Sequence, residues 1–180
     1  MLKRIPRTGW LQRDVPPAAA ETVAEHLHTT AIVAYLFALL SGEKLDTSRL
    51  LLMALLHDLP EAKIGDIPRD AAKTTPKLGE AKQAAEQQAM KALLEDLPTS
   101  LQAALSAAWE EFRRGSSREA RIVDAADRLA TAVHVLHLVQ AGYRKDVFAP
   151  FINHAQETVA ALQVPAADEV VKDLRRTVGL

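Results

Sequence analysis

Leu50-Leu51-Leu52-Met53-Ala54-Leu55-Leu56-His57-Asp58-Leu59-Pro60-Glu61 joins an unbroken apolar run to two adjacent ionisable residues and a proline. Such a run predicts a buried helix, opened by Asp46 or Thr47 as N-cap and ended at Pro60, which cannot continue the backbone hydrogen bonding. His57 and Asp58 then stand at the polar end of an interior element, and their desolvation demands compensation. A bound metal ion compensates both at once. Neighbouring residues on a helix project about 100° apart, so the pair shares one ion most easily where the helix stops. A lone His-Asp dipeptide is nevertheless common, and a single His beside an apolar face is usually a core residue with one satisfied nitrogen.

Working outward, the chain predicts helices almost everywhere. Ala and Leu dominate, β-branched alternation is scarce, and Gly and Pro fall mainly at expected helix ends, so the fold class is all-α. A helix is expected from about Glu21 to Leu40, stopping near Ser41-Gly42. Glu61 to Pro68 reads as one short helical turn followed by a loop. Further helices are expected over Pro76 to Asp96, Pro98 to Arg114, Ser117 to Ala141, Val147 to Leu162 and Ala166 to Val178. Residues 1–20 read as an irregular lead-in, broken by Pro6, Gly9, Pro16 and Pro17. No internal repeat or linker divides the chain. The expectation is one domain over residues 1–180: a substrate-side lead-in (1–20), a core holding the site (21–130) and C-terminal helices (131–180).

A chain of 180 residues buries about 70% of its unfolded surface and needs no covalent staple. With 48% apolar residues, 25% charged residues and a formal net charge of -1, nothing favours a nucleic-acid polymer or an anionic membrane as partner. Cysteine is absent, which removes thiolates and leaves imidazole and carboxylate as metal ligands. The apolar stretch Ala31 to Leu40 is too short to cross a bilayer, and Lys3, Arg4 and Arg7 precede no signal-like core, so a cytoplasmic location is expected.

Four residues in apolar surroundings are candidates to meet at one ion: His26, His57, Asp58, and Asp127 within Ile122-Val123-Asp124-Ala125-Ala126-Asp127-Arg128-Leu129. Asp124, one turn before Asp127, competes with it. His28 projects away from His26. His134 and His137 have the spacing of a metal pair, but their apolar neighbours suit core or interface histidines better. Trp109 and Phe112 share a helix face and read as packing, and His154 belongs to no constellation.

Val23-Ala24-Glu25-His26, His57-Asp58-Leu59-Pro60-Glu61, Ile64-Gly65-Asp66-Ile67-Pro68 and Ala126-Asp127-Arg128-Leu129 together resemble the HD-domain metal-dependent phosphohydrolases. The opening Leu2-Lys3-Arg4-Ile5-Pro6-Arg7-Thr8-Gly9-Trp10, with Arg13 and Val15, is similar to the branch of 5'-deoxynucleotidases within that family. The resemblance implies a single-domain HD helical bundle in which His26, His57, Asp58 and Asp127 hold one divalent cation. Mixed nitrogen and oxygen ligands suit Co, Mn, Ni, Fe or Zn better than Ca, and the family favours Co or Mn. By the same resemblance Glu61 is the catalytic acid, Asp66 accepts from the sugar 3'-hydroxyl, Arg7 grips phosphate and Trp10 packs against the sugar. Arg4 and Arg13 are alternatives to Arg7, and Trp10 also reads as an anchor for the lead-in. The chain departs from the family at Pro16-Pro17-Ala18-Ala19-Ala20-Glu21-Thr22, where a Pro-Glu-Ser approach is usual, and at Leu27, where Ser commonly follows the His.

The implied chemistry is hydrolysis of a phosphomonoester, with a deoxyribonucleoside monophosphate as the small-molecule partner. The alternatives are an HD hydrolase of another nucleotide or small phosphate ester, and a non-enzymatic helical dimerisation or regulatory module. A homodimer is expected, because Ala130 to Val139 carries more apolar surface than one helix face requires.

Overall fold

Apolar spacing builds each helix of this chain and selects the face it buries. The computed structural model describes residues 1–68 and 76–180, and their regular elements are helical apart from one isolated β-bridge between Pro6 and Thr22. A 3-10 turn at Leu2–Arg4 precedes α1 (Thr8–Leu11), α2 (Val23–Ser41), α3 (Thr47–Leu56) and α4 (Glu61–Ile64). After the undescribed residues come α5 (Pro76–Leu94), α6 (Thr99–Arg114) and α7 (Arg118–Gln140). A second 3-10 turn at Lys145–Phe148 leads into α8 (Ala149–Ala160), and α9 (Pro165–Val178) follows. The lead-in is therefore more ordered than the sequence suggests, with two short helical turns where an irregular path is expected.

Helix ends fall where local chemistry supplies a partner for the terminal backbone groups. Asp46 caps α3 by accepting from Arg49 N at 3.0 Å, and Ser117 caps α7 by accepting from Ala120 N at 3.0 Å. Gly42 and Gly115 close α2 and α6 in the left-handed region, at φ 65° and 58°. Thr22 and Glu25 form a reciprocal capping box at the start of α2, the helix that carries His26.

The phase of the buried residues aims the polar ones inward. On α3, Leu50, Met53 and Ala54 are fully buried, and His57 continues that face one turn later. Val23, Leu27 and Thr30 bracket His26 on α2, while Val123, Ala126 and Ala130 bracket Asp127 on α7. The long α7 is the hub: it packs against α2, α3, α6, α8 and α9. It also runs through residue 130, so the expected core and C-terminal segments share one helix.

By length and composition α2 is apolar enough to cross a bilayer, which the shorter stretch Ala31 to Leu40 does not suggest. Here it packs against α3 and α7. Its outer face leaves Ile32, Tyr35, Leu36, Leu39 and Leu40 exposed, whereas in the segment Ala130 to Val139 only Val133 among the large hydrophobics is exposed.

Because the capping box fixes the first turn of α2, Thr22→Ala is expected to cost about 1 kcal/mol and lower Tm by about 2–4 °C. Differential scanning calorimetry checks this, and an unchanged Tm contradicts it.

Candidate metal centre

Three packed helices and one bridge bring the candidate residues together. The bridge comes first: Arg7 N donates to Glu21 O at 2.9 Å and Val23 N to Ile5 O at 2.9 Å, which lays the lead-in across the start of α2. Arg7 is thereby delivered to the residues that end α3. Its Nη1 donates to Asp58 Oδ2 at 2.9 Å.

His26, His57 and Asp58 each present one ligand atom within 4.8 Å of the others. His57 Nε2 lies 3.3 Å from Asp58 Oδ2, and His26 Nε2 lies 3.9 Å from the same oxygen. Asp127 joins from α7, with Oδ1 3.0 Å from His26 Nε2. Ligand atoms about 2.1 Å from one ion stand about 3 Å apart when adjacent and about 4 Å apart when opposite, so these separations fit a shared cation. Three of the four predicted ligands, His26, His57 and Asp58, lie mutually within reach, and Asp127 joins them through His26. Asp124 stays outside, partly exposed and paired with Arg128 Nη2 at 3.2 Å.

Protonation geometry strengthens that fit. His57 Nδ1 lies 2.8 Å from Ala54 O, and a carbonyl only accepts, so Nδ1 carries the hydrogen. In the neutral ring Nε2 then carries the lone pair; it is buried, 3.3 Å from a carboxylate oxygen, and makes no hydrogen bond of good geometry among the described residues. A proton or a metal ion between the two atoms satisfies both, and two imidazoles with two carboxylates are a donor set that suits a divalent transition metal. The residues present fit the implied ion.

Several supporting side chains escape a sequence reading. Trp109 Nε1 donates to His57 O at 3.3 Å, and the Phe112 ring centroid lies 5.3 Å from that of His57, so the packing pair of α6 buttresses a ligand. Glu21 and His134 flank the opposite side of the centre: Glu21 N donates to His134 Nε2 at 3.2 Å. His28, His137 and His154 are exposed and outside the cluster.

The centre opens onto a cleft of about 900 Å³, lined by Arg7, Trp10, His57, Asp58, Glu61 and Asp66 among others. Trp10 is 1% exposed, with its indole Nε1 donating to Glu21 Oε1 at 3.2 Å and its ring against His134, Phe148 and Phe151. Most of its surface therefore anchors the lead-in. Asp66 accepts from Thr8 N through its carboxylate, and its carbonyl accepts from Thr8 Oγ1 at 2.8 Å. Arg13 stacks over Phe151 with Cζ 4.2 Å from the ring centroid, and Arg4 is exposed, which leaves Arg7 as the arginine of the lead-in that touches the metal cluster.

The two carboxylates flanking Pro60 are driven apart. Burial acts to raise Asp58, but His57, Arg7 and His26 together hold it well below the usual carboxylate range. Glu61 is pushed up to about 10 by burial first and then by the negative charges of Asp58 and Asp66. Opposite shifts in adjacent carboxyl groups are the pattern of an acid beside an ionised partner.

The sequence profile of the HD domain matches residues 1–167. The 5'-deoxynucleotidase HDDC2 of Bos taurus is 39% identical over 128 residues, covering 71% of this chain and 58% of that protein. The chain thus spans less than two thirds of that relative's length. A conserved hypothetical protein from Pyrococcus furiosus superposes with a TM-score of 0.77 at 30% identity, covering 97% of this chain and 94% of its own. A predicted metal-dependent phosphohydrolase from Magnetospirillum magnetotacticum MS-1 superposes with a TM-score of 0.66 at 25% identity, covering 98% and 89%.

Glu61 provides a pH signature. The folded chain keeps its proton up to about pH 10, whereas the unfolded chain releases it above the ordinary 4.5, so rising pH between those values favours unfolding. In EDTA-treated protein, Glu61→Gln should therefore raise Tm over the parent, with a gap that widens from about pH 5 to about pH 9. Equal gaps at both pH values, measured by circular dichroism melts, contradict the raised pKa.

Proposed function

Because the chain belongs to the HD-domain family, we propose that it is a metal-dependent phosphomonoester hydrolase that removes the 5'-phosphate from deoxyribonucleoside monophosphates. The observation that carries this reading is the buried His57 Nε2, 3.3 Å from Asp58 Oδ2 and beside His26, at a cleft lined by Arg7 and Glu61. The kinship with 5'-deoxynucleotidases supports the choice of substrate.

His26, His57, Asp58 and Asp127 would hold one divalent ion, with Co or Mn first among Co, Mn, Ni, Fe and Zn. When bound, such an ion supplies Lewis-acid polarisation of the phosphate and a more acidic water. Arg7 neutralises phosphate charge through its guanidinium, in keeping with its reach to Asp58. Glu61, whose carboxyl is raised first by burial, gives its proton to the departing nucleoside oxygen as the P–O bond breaks, and regains one from the incoming water. Asp66 is the acceptor for the sugar 3'-hydroxyl, and Trp10, almost fully buried, holds in place the lead-in that borders the cleft. The partner is a small nucleotide in the cytoplasm rather than a nucleic-acid polymer or a membrane, in keeping with a net charge of -1.

The exposed stripe Ile32, Tyr35, Leu36, Leu39 and Leu40 on α2 supports a homodimer. Light scattering after size exclusion should give twice the chain mass, and Leu39→Lys should give the monomer. A monomeric parent at working concentration removes this part of the proposal.

Phosphate release from deoxy- and ribonucleoside monophosphates, with Co or Mn added, tests the function. The deoxy series should react faster, Glu61→Ala should slow turnover about 100- to 10,000-fold, and His57→Ala should slow it at least about 1,000-fold. Turnover that survives His57→Ala, or equal rates for ribo and deoxy substrates, counts against the corresponding part.

A further inference from the structure

Glu21 is 7% exposed and stands immediately before the Thr22 cap of α2. Its Oε1 lies 3.2 Å from Trp10 Nε1, 3.7 Å from His26 Nδ1 and 3.9 Å from Arg7 Nε. Indole and guanidinium nitrogens only donate, so the group among them must accept, as an ionised carboxylate does. The main chain holds Glu21 on both sides: its carbonyl accepts from Arg7 N at 2.9 Å, and its N–H points to His134 Nε2 at 3.2 Å. Across the His26 ring, Nε2 faces Asp127 Oδ1 at 3.0 Å. His26 Nδ1 is buried and makes no hydrogen bond of normal length among the described residues, leaving Glu21 at ion-pair distance on that side.

We propose that Glu21 is a positioning residue that orients the His26 ring, with Nδ1–H towards its own carboxylate and the Nε2 lone pair towards the ion. Through the same oxygen it seats Arg7 and Trp10, so metal affinity and phosphate binding share one anchor. A carboxylate behind a ligating imidazole fixes its tautomer and raises its basicity, and removing such a partner typically weakens metal binding about 10- to 100-fold. This inference rests on the reading of His26 as a metal ligand and adds a residue outside the ligand set.

The test is calorimetric titration of Co2+ alone into the full-length, EDTA-treated chain. Glu21→Gln keeps the shape and removes the charge, and should weaken Co2+ binding about 10-fold; Glu21→Ala also removes the acceptor and should approach about 100-fold. At saturating Co2+, Glu21→Gln should raise KM for the nucleotide more than it lowers kcat, because Arg7 and Trp10 lose their shared partner. A variant that melts at a lower temperature yet binds Co2+ with the parent's affinity and KM overturns the proposal, since Glu21 would then be merely structural. Should Glu21→Ala fail to fold, Glu21→Gln decides. Weaker Co2+ binding in a protein whose parent hydrolyses no nucleotide would sink the proposed function and leave the positioning role standing. Unchanged Co2+ binding with hydrolysis intact would do the reverse.

Discussion

Imidazoles and carboxylates packed together inside an apolar bundle need compensation for their lost hydration, which one shared cation supplies. Around His26, which is 0% exposed, stand Glu21, Asp58 and Asp127, and the surrounding core of α2, α3 and α7 is Leu, Val, Met and Ala. Arg7 supplies positive charge to Asp58, and Arg128 approaches Asp127 Oδ2 at 3.6 Å. His57 Nε2 and Asp58 Oδ2 stand 3.3 Å apart. Their close approach makes a shared ion the simplest account of the arrangement, and removing one member of so buried a set would leave charge without compensation.

The supporting structure follows from that requirement. Pro60 ends the helical path, so His57 and Asp58 leave α3 in a turn and can face one point. The capping box of Thr22 and Glu25 fixes the start of α2, and the bridge from Pro6 to Thr22 lays the lead-in across the same spot. One short stretch thus sets both the first ligand and the arginine that reaches it. Trp10 secures the arrangement by burying its ring among His134, Phe148 and Phe151.

Much of this was legible in the residues because it depends on phase and punctuation. Leu50, Met53, Ala54 and His57 fall on one face by spacing alone, and Asp46, Ser117, Gly42 and Gly115 mark helix ends through local chemistry. Contacts between distant segments were not legible. Trp109 meets the His57 carbonyl across 52 positions and His134 meets the Glu21 amide across 113, and each looks like ordinary packing until the helices are assembled. Glu21 stood in a segment notable only for departing from the usual approach to His26. The apolar excess of the segment Ala130 to Val139 misled for the same reason: most of that face packs inside the chain, while α2, which looks like a core helix, leaves a stripe of large side chains exposed.

A single divalent ion held by His26, His57, Asp58 and Asp127 is open to direct detection. Anomalous diffraction from crystals grown with Co2+, recorded on both sides of the cobalt absorption edge, tests it most directly. One dominant peak is expected within bonding distance of His26 Nε2, His57 Nε2 and a carboxylate oxygen of each aspartate. No peak there, or a dominant peak elsewhere on the protein, would contradict it.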